Sequence, residues 1–132
     1  MSRCARTWLA IAALIGLVVV ALGAIGAHGL KSLIEQDPRG PEWWRTAVLY
    51  GAWHGLALGL VALLADRRTS RALSVAGWGF ALGVLLFSGS LFALALTRVM
   101  TFAHVTPFGG LAFMVGWVAL AVHALAGGRE AA

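Results

Sequence analysis

Carboxylates are scarce in this chain. Only five acidic residues occur among 132, and all of them (Glu35, Asp37, Glu42, Asp66 and Glu130) fall outside the long apolar runs. Proton-coupled transport needs a carboxylate or a paired histidine inside the membrane, and a Ser-His-Asp triad cannot be drawn without an acid near the base. Ser88-Gly89-Ser90 therefore resembles half of a nucleophile motif and no more. Cysteine is scarcer still, since Cys4 is the single one. It allows no disulfide within the chain, and it precedes the first apolar run, whereas a lipoprotein acceptor follows one. The four histidines show no HxxH, CxxC or ExxH spacing that would set two metal ligands on one face. His28, His104 and Glu35 are the only set whose loops could bring them together. A haem held by His54 and His123 fails on depth: the two lie about seven and about sixteen residues from the outer ends of their runs, roughly 13 Å apart along the helix axes. No metal and no cofactor is expected, and an enzyme is not.

What the chain has in abundance is apolar sequence. Hydrophobic residues make up 61%, charged residues 11%, and mean hydropathy is +0.88, outside the range of soluble domains. A span needs about 20 mostly apolar residues, and four runs qualify, at about residues 8–27, 47–65, 73–97 and 107–126. The fold class is therefore all-α integral membrane: a single domain, residues 1–132, built as a four-transmembrane-helix bundle. Arg3 and Arg6 ahead of the first run imitate a secretory signal, but its length exceeds the roughly 7–15 apolar residues of a signal, so it is read as a retained span. The ten basic residues are scattered over tails and loops. They describe membrane topology better than a nucleic-acid surface, so the expected partner is the lipid bilayer, with a larger membrane complex or a homo-oligomer beyond it.

Between the first two spans, Leu30, Leu33 and Ile34 recur at helical spacing while Lys31, Glu35 and Gln36 fill the other face, predicting a short interfacial helix. Asp37-Pro38-Arg39-Gly40-Pro41 breaks it. Pro41 and Glu42 suit the first turn of the second span, with Trp43 and Trp44 at the interface. Thr69 or Ser70 can cap the third span, and Thr106-Pro107 reads as cap and first-turn proline of the fourth, after a loop over residues 98–105. Gly127-Gly128 should end it.

The second span organises the rest. Gly51, Gly55 and Gly59 recur every four residues, opening one face to close approach, and His54 projects from the adjacent face. Small residues repeat on the other spans too: Gly16 and Gly23 on the first, Gly79 and Gly83 on the third, Gly109 and Gly116 on the fourth. Helices in lipid gain no hydrophobic drive from touching and rely on close van der Waals contact, so four such seams predict a tight bundle. If the amino terminus is cytoplasmic, the inside carries Arg3, Arg6, Arg67, Arg68, Arg71 and Arg129 against Lys31, Arg39, Arg45 and Arg98 outside. That bias, with three arginines in the short middle turn, places both termini inside. His28, His54, Ser88, Ser90, His104 and Thr106 then share the outer half. They are the candidate ligand-binding residues of an outward polar pocket, the alternative being that each satisfies its own backbone or packing.

Four segments carry a family resemblance: Gly23 to Leu30, Tyr50 with His54, Phe87-Ser88-Gly89-Ser90-Leu91, and Thr106 to Phe113 followed by Gly116-Trp117. Their order and spacing resemble the YgdD-like family of small inner-membrane proteins over about residues 11–126. The resemblance implies a four-span membrane protein and supplies no reaction. Gly51 and Phe92 stand where that family often has glutamine and tyrosine. The reading is an accessory, stabilising or assembly component of the bacterial inner membrane, with small-solute or ion permeation through the outer pocket as the alternative.

Overall fold

The computed structural model describes residues 1–127; Gly128 as a helix stop, Arg129 in the charge count and Glu130 lie outside the described residues. Helix α1 spans Arg3–Ala27, capped by Ser2, whose Oγ accepts from the Ala5 N–H at 3.2 Å. The interfacial helix is a single turn, α2, Lys31–Ile34, with Ile34 buried. Helix α3, Gly40–Arg67, carries Pro41 and Glu42 in its first turn. Helix α4, Arg71–Thr97, is capped by Ser70 Oγ accepting from the Leu73 N–H and contains one π-helical turn, Val84–Ser88. Helix α5 spans Thr101–Gly127. Among the described residues there is no strand, and α1, α3, α4 and α5 are each long and apolar enough to cross a membrane.

The order is up-down-up-down. Packing runs chiefly between α1 and α3 and between α4 and α5, and α3 meets α4 through the middle. Burial follows: α3 and α4 are the central pair, and α1 is the most peripheral. The central core holds Trp8, Leu58, Val61, Leu73, Phe80 and Phe113. Large apolar side chains such as Leu17, Val20, Leu56, Leu63 and Leu125 point outward, the inverse of a soluble protein and what a lipid-facing surface requires.

The first and the last span are both tied by polar contacts at the middle turn. The Ser2 N–H donates to Asp66 Oδ1 at 2.7 Å, the amino-terminal ammonium lies 3.9 Å from the same oxygen, and Ser70 Oγ shares a 2.9 Å hydrogen bond with His123 Nδ1. His123 and His54 thus serve different partners at different depths.

The glycine seams are only partly as expected. A Cβ at Gly51 would stand 2.8 Å from Val19 Cγ2, and one at Gly55 2.9 Å from Ile15 Cγ2, so this face of α3 closes on α1. A Cβ at Gly79 would stand 2.8 Å from Gly116 Cα in the backbone of α5, while Gly83 closes on Phe113, Gly116 on Phe80 and Gly109 on Phe87. At Gly16 and Gly59 a Cβ would meet nothing within 4 Å, and at Gly23 it would make ordinary contact with Val48 Cγ1 at 3.6 Å. The small-residue stripe on α3 drifts away from the contact, because a straight helix turns about 100° per residue and four-residue spacing precesses around it, whereas on α1 Gly23 touches α3 and Gly16 does not. Three close approaches lay outside the expected set: Gly26 against the Trp44 indole, Gly40 against the Ile34 carbonyl and Gly77 against Trp8.

Two further expectations are corrected. The loop over residues 98–105 is almost absent. Arg98 adopts a left-handed conformation (φ 58°), its N–H bonding the Leu94 carbonyl, and the chain re-enters helix at Thr101. A left-handed residue ends a helix in one step, which leaves Pro107 inside α5 instead of in its first turn. Proline has no N–H to bond the Ala103 carbonyl four residues back, a loss that membrane helices tolerate where neighbouring groups or local adjustments re-satisfy the backbone. Trp44 turns inward from the interface. Its indole N–H donates to the Leu22 carbonyl at 3.1 Å and its ring meets Phe92 edge-on. Trp43 alone stays at the rim, beneath the Arg39 guanidinium at 4.8 Å.

Candidate functional site

His54 is the most embedded ionisable side chain among the described residues, and α3 delivers it to the face adjacent to the glycine contact with α1. Its ring stacks on Phe113 of α5 with centroids 3.4 Å apart and planes 9° from parallel. Trp117, one turn further along α5, donates its indole N–H to His54 Nε2 at 3.2 Å. An indole nitrogen can only donate, so Nε2 carries no proton. The proton is then on Nδ1, which donates to the Tyr50 carbonyl at 2.8 Å. The imidazole is neutral with both nitrogens engaged. Tyr50 and Phe80 complete an aromatic box around it, and Phe87 stacks on the far side of Tyr50 and against Phe113. On its lateral side a cavity of about 340 Å³ is bounded by Leu49, Tyr50, Trp53, His54 and Trp117.

The hydroxyls form a separate group. Ser90 Oγ lies 3.0 Å from the Phe87 carbonyl and 2.8 Å from Thr106 Oγ1. Thr106 Oγ1 also lies 3.3 Å from the Phe102 carbonyl of its own helix, so either hydroxyl can be the donor between the two. The π turn makes this possible, because bonds spanning five residues displace carbonyls from the regular ladder and the Ser90 hydroxyl takes one of them. Ser88, at the end of the same turn, is 1% exposed and its Oγ has no hydrogen-bond partner among the described residues. Gly51 makes room for it: a Cβ there would stand 3.3 Å from Ser88 Oγ.

The six candidate residues are therefore not one cluster. His54 belongs to an aromatic box between α3 and α5, Ser90 and Thr106 to a hydroxyl pair between α4 and α5, and Ser88 to the contact of α4 with α3. His28 and His104 are exposed at the end of the bundle away from the middle turn. Among the described residues no group of three histidine, cysteine or acidic side chains could hold a metal. Sequence reasoning missed the two residues that define His54's chemistry, Phe113 and Trp117. Their i, i+4 spacing was visible, but the register that sets them against His54 was not.

Such an arrangement can hold helices in register; it offers no free lone pair on His54 and no acid beside a nucleophile. These features define a four-span, all-helical integral membrane protein whose membrane-embedded polar side chains are mostly bonded to one another or to its own backbone. Residues 22–110 match the family described as Protein of unknown function (DUF423). The chain is 37% identical over 121 residues to the UPF0382 membrane protein YwdK of Bacillus subtilis, covering 91% of this chain and 97% of that one. It is 41% identical over 120 residues to the UPF0382 inner membrane protein YgdD of Escherichia coli K12, covering 91% and 90%. The chain belongs to the DUF423 family. No solved structure matches it.

Proposed function

We propose that this protein is a non-catalytic accessory component of the bacterial inner membrane, acting by packing against a larger membrane assembly or against copies of itself. The observation that carries this reading is the closed hydrogen bonding of His54, whose two nitrogens are taken by Trp117 and Tyr50. A permeation path or an active site keeps polar groups available along a cavity. Here the Ser90–Thr106 pair and His54 spend theirs on neighbouring helices, while large side chains, among them Trp53 and Leu56, face lipid. The inner-membrane location follows the name of the Escherichia coli relative, and the basic middle turn favours cytoplasmic termini.

Two measurements test this together. Extraction in a gentle detergent is expected to recover a defined, stoichiometric membrane assembly containing this chain, and the purified chain alone in liposomes is expected to pass neither protons nor small solutes. Solute or ion flux from the isolated chain would overturn the accessory reading in favour of permeation. A reporter fused after Ala132 is expected to behave as cytoplasmic; alkaline-phosphatase activity from that fusion would reverse the orientation.

A further inference from the structure

At the end of the bundle away from the middle turn, α2 lies across the gap between α1 and α3 and closes it into a cavity of about 350 Å³, near the lower bound of ligand pockets. Its walls are of two kinds. Gly23 and Ala27 of α1 and Val48 of α3 make an apolar floor, and Trp44 is fixed there by its bond to the Leu22 carbonyl. Lys31 and Glu35 of α2 and Arg45 of α3 line it as well. Lys31 Nζ is 3.9 Å from Glu35 Oε1, but both side chains are more than half exposed, so the pairing holds neither firmly. The Arg45 side chain has no hydrogen bond or ion pair with the described residues. One carboxylate thus stands against two cations.

The cavity is graded from hydrocarbon to cation along the bundle axis, at the level where the helices end and Trp43 marks the interface. That gradient matches one end of a phospholipid, an acyl chain beneath a phosphate. We propose that this cavity is a binding site for an anionic bilayer phospholipid, its phosphate held by Arg45 and Lys31 and the start of one acyl chain lying against Gly23, Ala27 and Val48. Arginine is the stronger anchor, because its planar fork donates two parallel hydrogen bonds to phosphate whereas lysine acts as a point charge. An anionic headgroup is preferred over a zwitterionic one, because Glu35 neutralises only one of the two cations. The site stands independently of the accessory role.

The test uses the full chain in detergent, titrated with phosphatidylglycerol, phosphatidylcholine or inorganic phosphate and read by native mass spectrometry and melting temperature. Phosphatidylglycerol is expected to form a retained one-to-one adduct and raise the melting temperature, with phosphatidylcholine weaker. Arg45→Gln, a change at an exposed position, is expected to weaken phosphatidylglycerol binding about tenfold or more, and Ala27→Leu to weaken it by filling the floor with no change of charge. Arg98→Gln, at the same end of the bundle but outside the cavity, should leave binding as it was. Equal binding of both lipids, or an unchanged Arg45→Gln variant, overturns the proposal. Inorganic phosphate raising the melting temperature as far as the lipid does would make this a phosphate site and overturn the lipid assignment. If Arg45→Gln fails to fold, Lys31→Gln and the comparison of the two lipids on the unmodified chain decide the matter.

Discussion

Replacing Gly79 with alanine should damage this bundle, and replacing Gly59 should not. Both glycines lie inside long helices, so both substitutions gain the same intrinsic helix preference of about 1 kcal/mol. The difference between them isolates packing. At Gly59 the new methyl enters open space, whereas at Gly79 it would stand 2.8 Å from Gly116 Cα and 2.9 Å from the Ala112 carbonyl oxygen and the Gly116 nitrogen. All three are backbone atoms, so no side chain can swing aside. Ordinary contact begins near 3.4 Å, so α4 and α5 must part by roughly 0.6 Å, a gap that forfeits about a quarter or more of each dispersion contact along the seam. Overpacking of this kind costs about 1–3 kcal/mol. Gly79→Ala should therefore lie that far below Gly59→Ala in stability, with Gly59→Ala level with or slightly above the unmodified chain. The assay is the thermal midpoint of the two variants in one detergent, followed by tryptophan fluorescence and by retention of a monodisperse species. Equal midpoints would mean that α4 and α5 do not approach at Gly79 and Gly116, and the seam between them would have to be abandoned.

Trp117→Phe keeps a ring against Phe80 but removes the only donor to His54 Nε2 among the described residues; a loss of about 0.5–2 kcal/mol is expected, in line with side-chain hydrogen bonds between membrane helices, and an unchanged melting midpoint would show that another group supplies that proton. Ser88→Ala removes a buried hydroxyl that has no partner among the described residues and should be neutral or stabilising by up to about 1 kcal/mol, whereas Ser90→Ala breaks the link to Thr106 and should cost about 0.5–1.5 kcal/mol. Finding Ser88→Ala as harmful as Ser90→Ala in the same melt would mean that the Ser88 hydroxyl is bonded after all.

The features legible in the sequence were those that depend on one helix at a time. Apolar run length gives the four spans; the first-turn positions of Pro41 and Glu42 and the cap at Ser70 follow from local backbone chemistry. The boundaries that failed did so where one residue took an unexpected conformation: left-handed Arg98 shortened the last turn and moved Pro107 into the helix interior. Contacts between helices were harder, since whether a glycine meets a neighbour depends on rotation about the axis. Gly51 and Gly55 face α1 while Gly59, one turn on, faces nothing. The π turn is invisible in hydropathy because it alters hydrogen-bond register and leaves composition alone, yet it decides which of Ser88 and Ser90 finds a partner. Pairing His54 with Phe113 and Trp117 required the same interhelical register.

The polar ties at the middle turn set an order of assembly during synthesis. The bond from Ser2 to Asp66 joins residues 64 apart and needs nothing beyond α1, α3 and the chain between them. Chains leave the ribosome amino end first, so the first pair of spans can close on itself once Asp66 has emerged, before α5 is free to pack. Ser70 then waits, already positioned as the cap of α4, for His123 in the penultimate turn of α5. Closure of the second pair follows that of the first, and a chain that stops short of His123 would present the turn to solvent with its first tie made and its second missing.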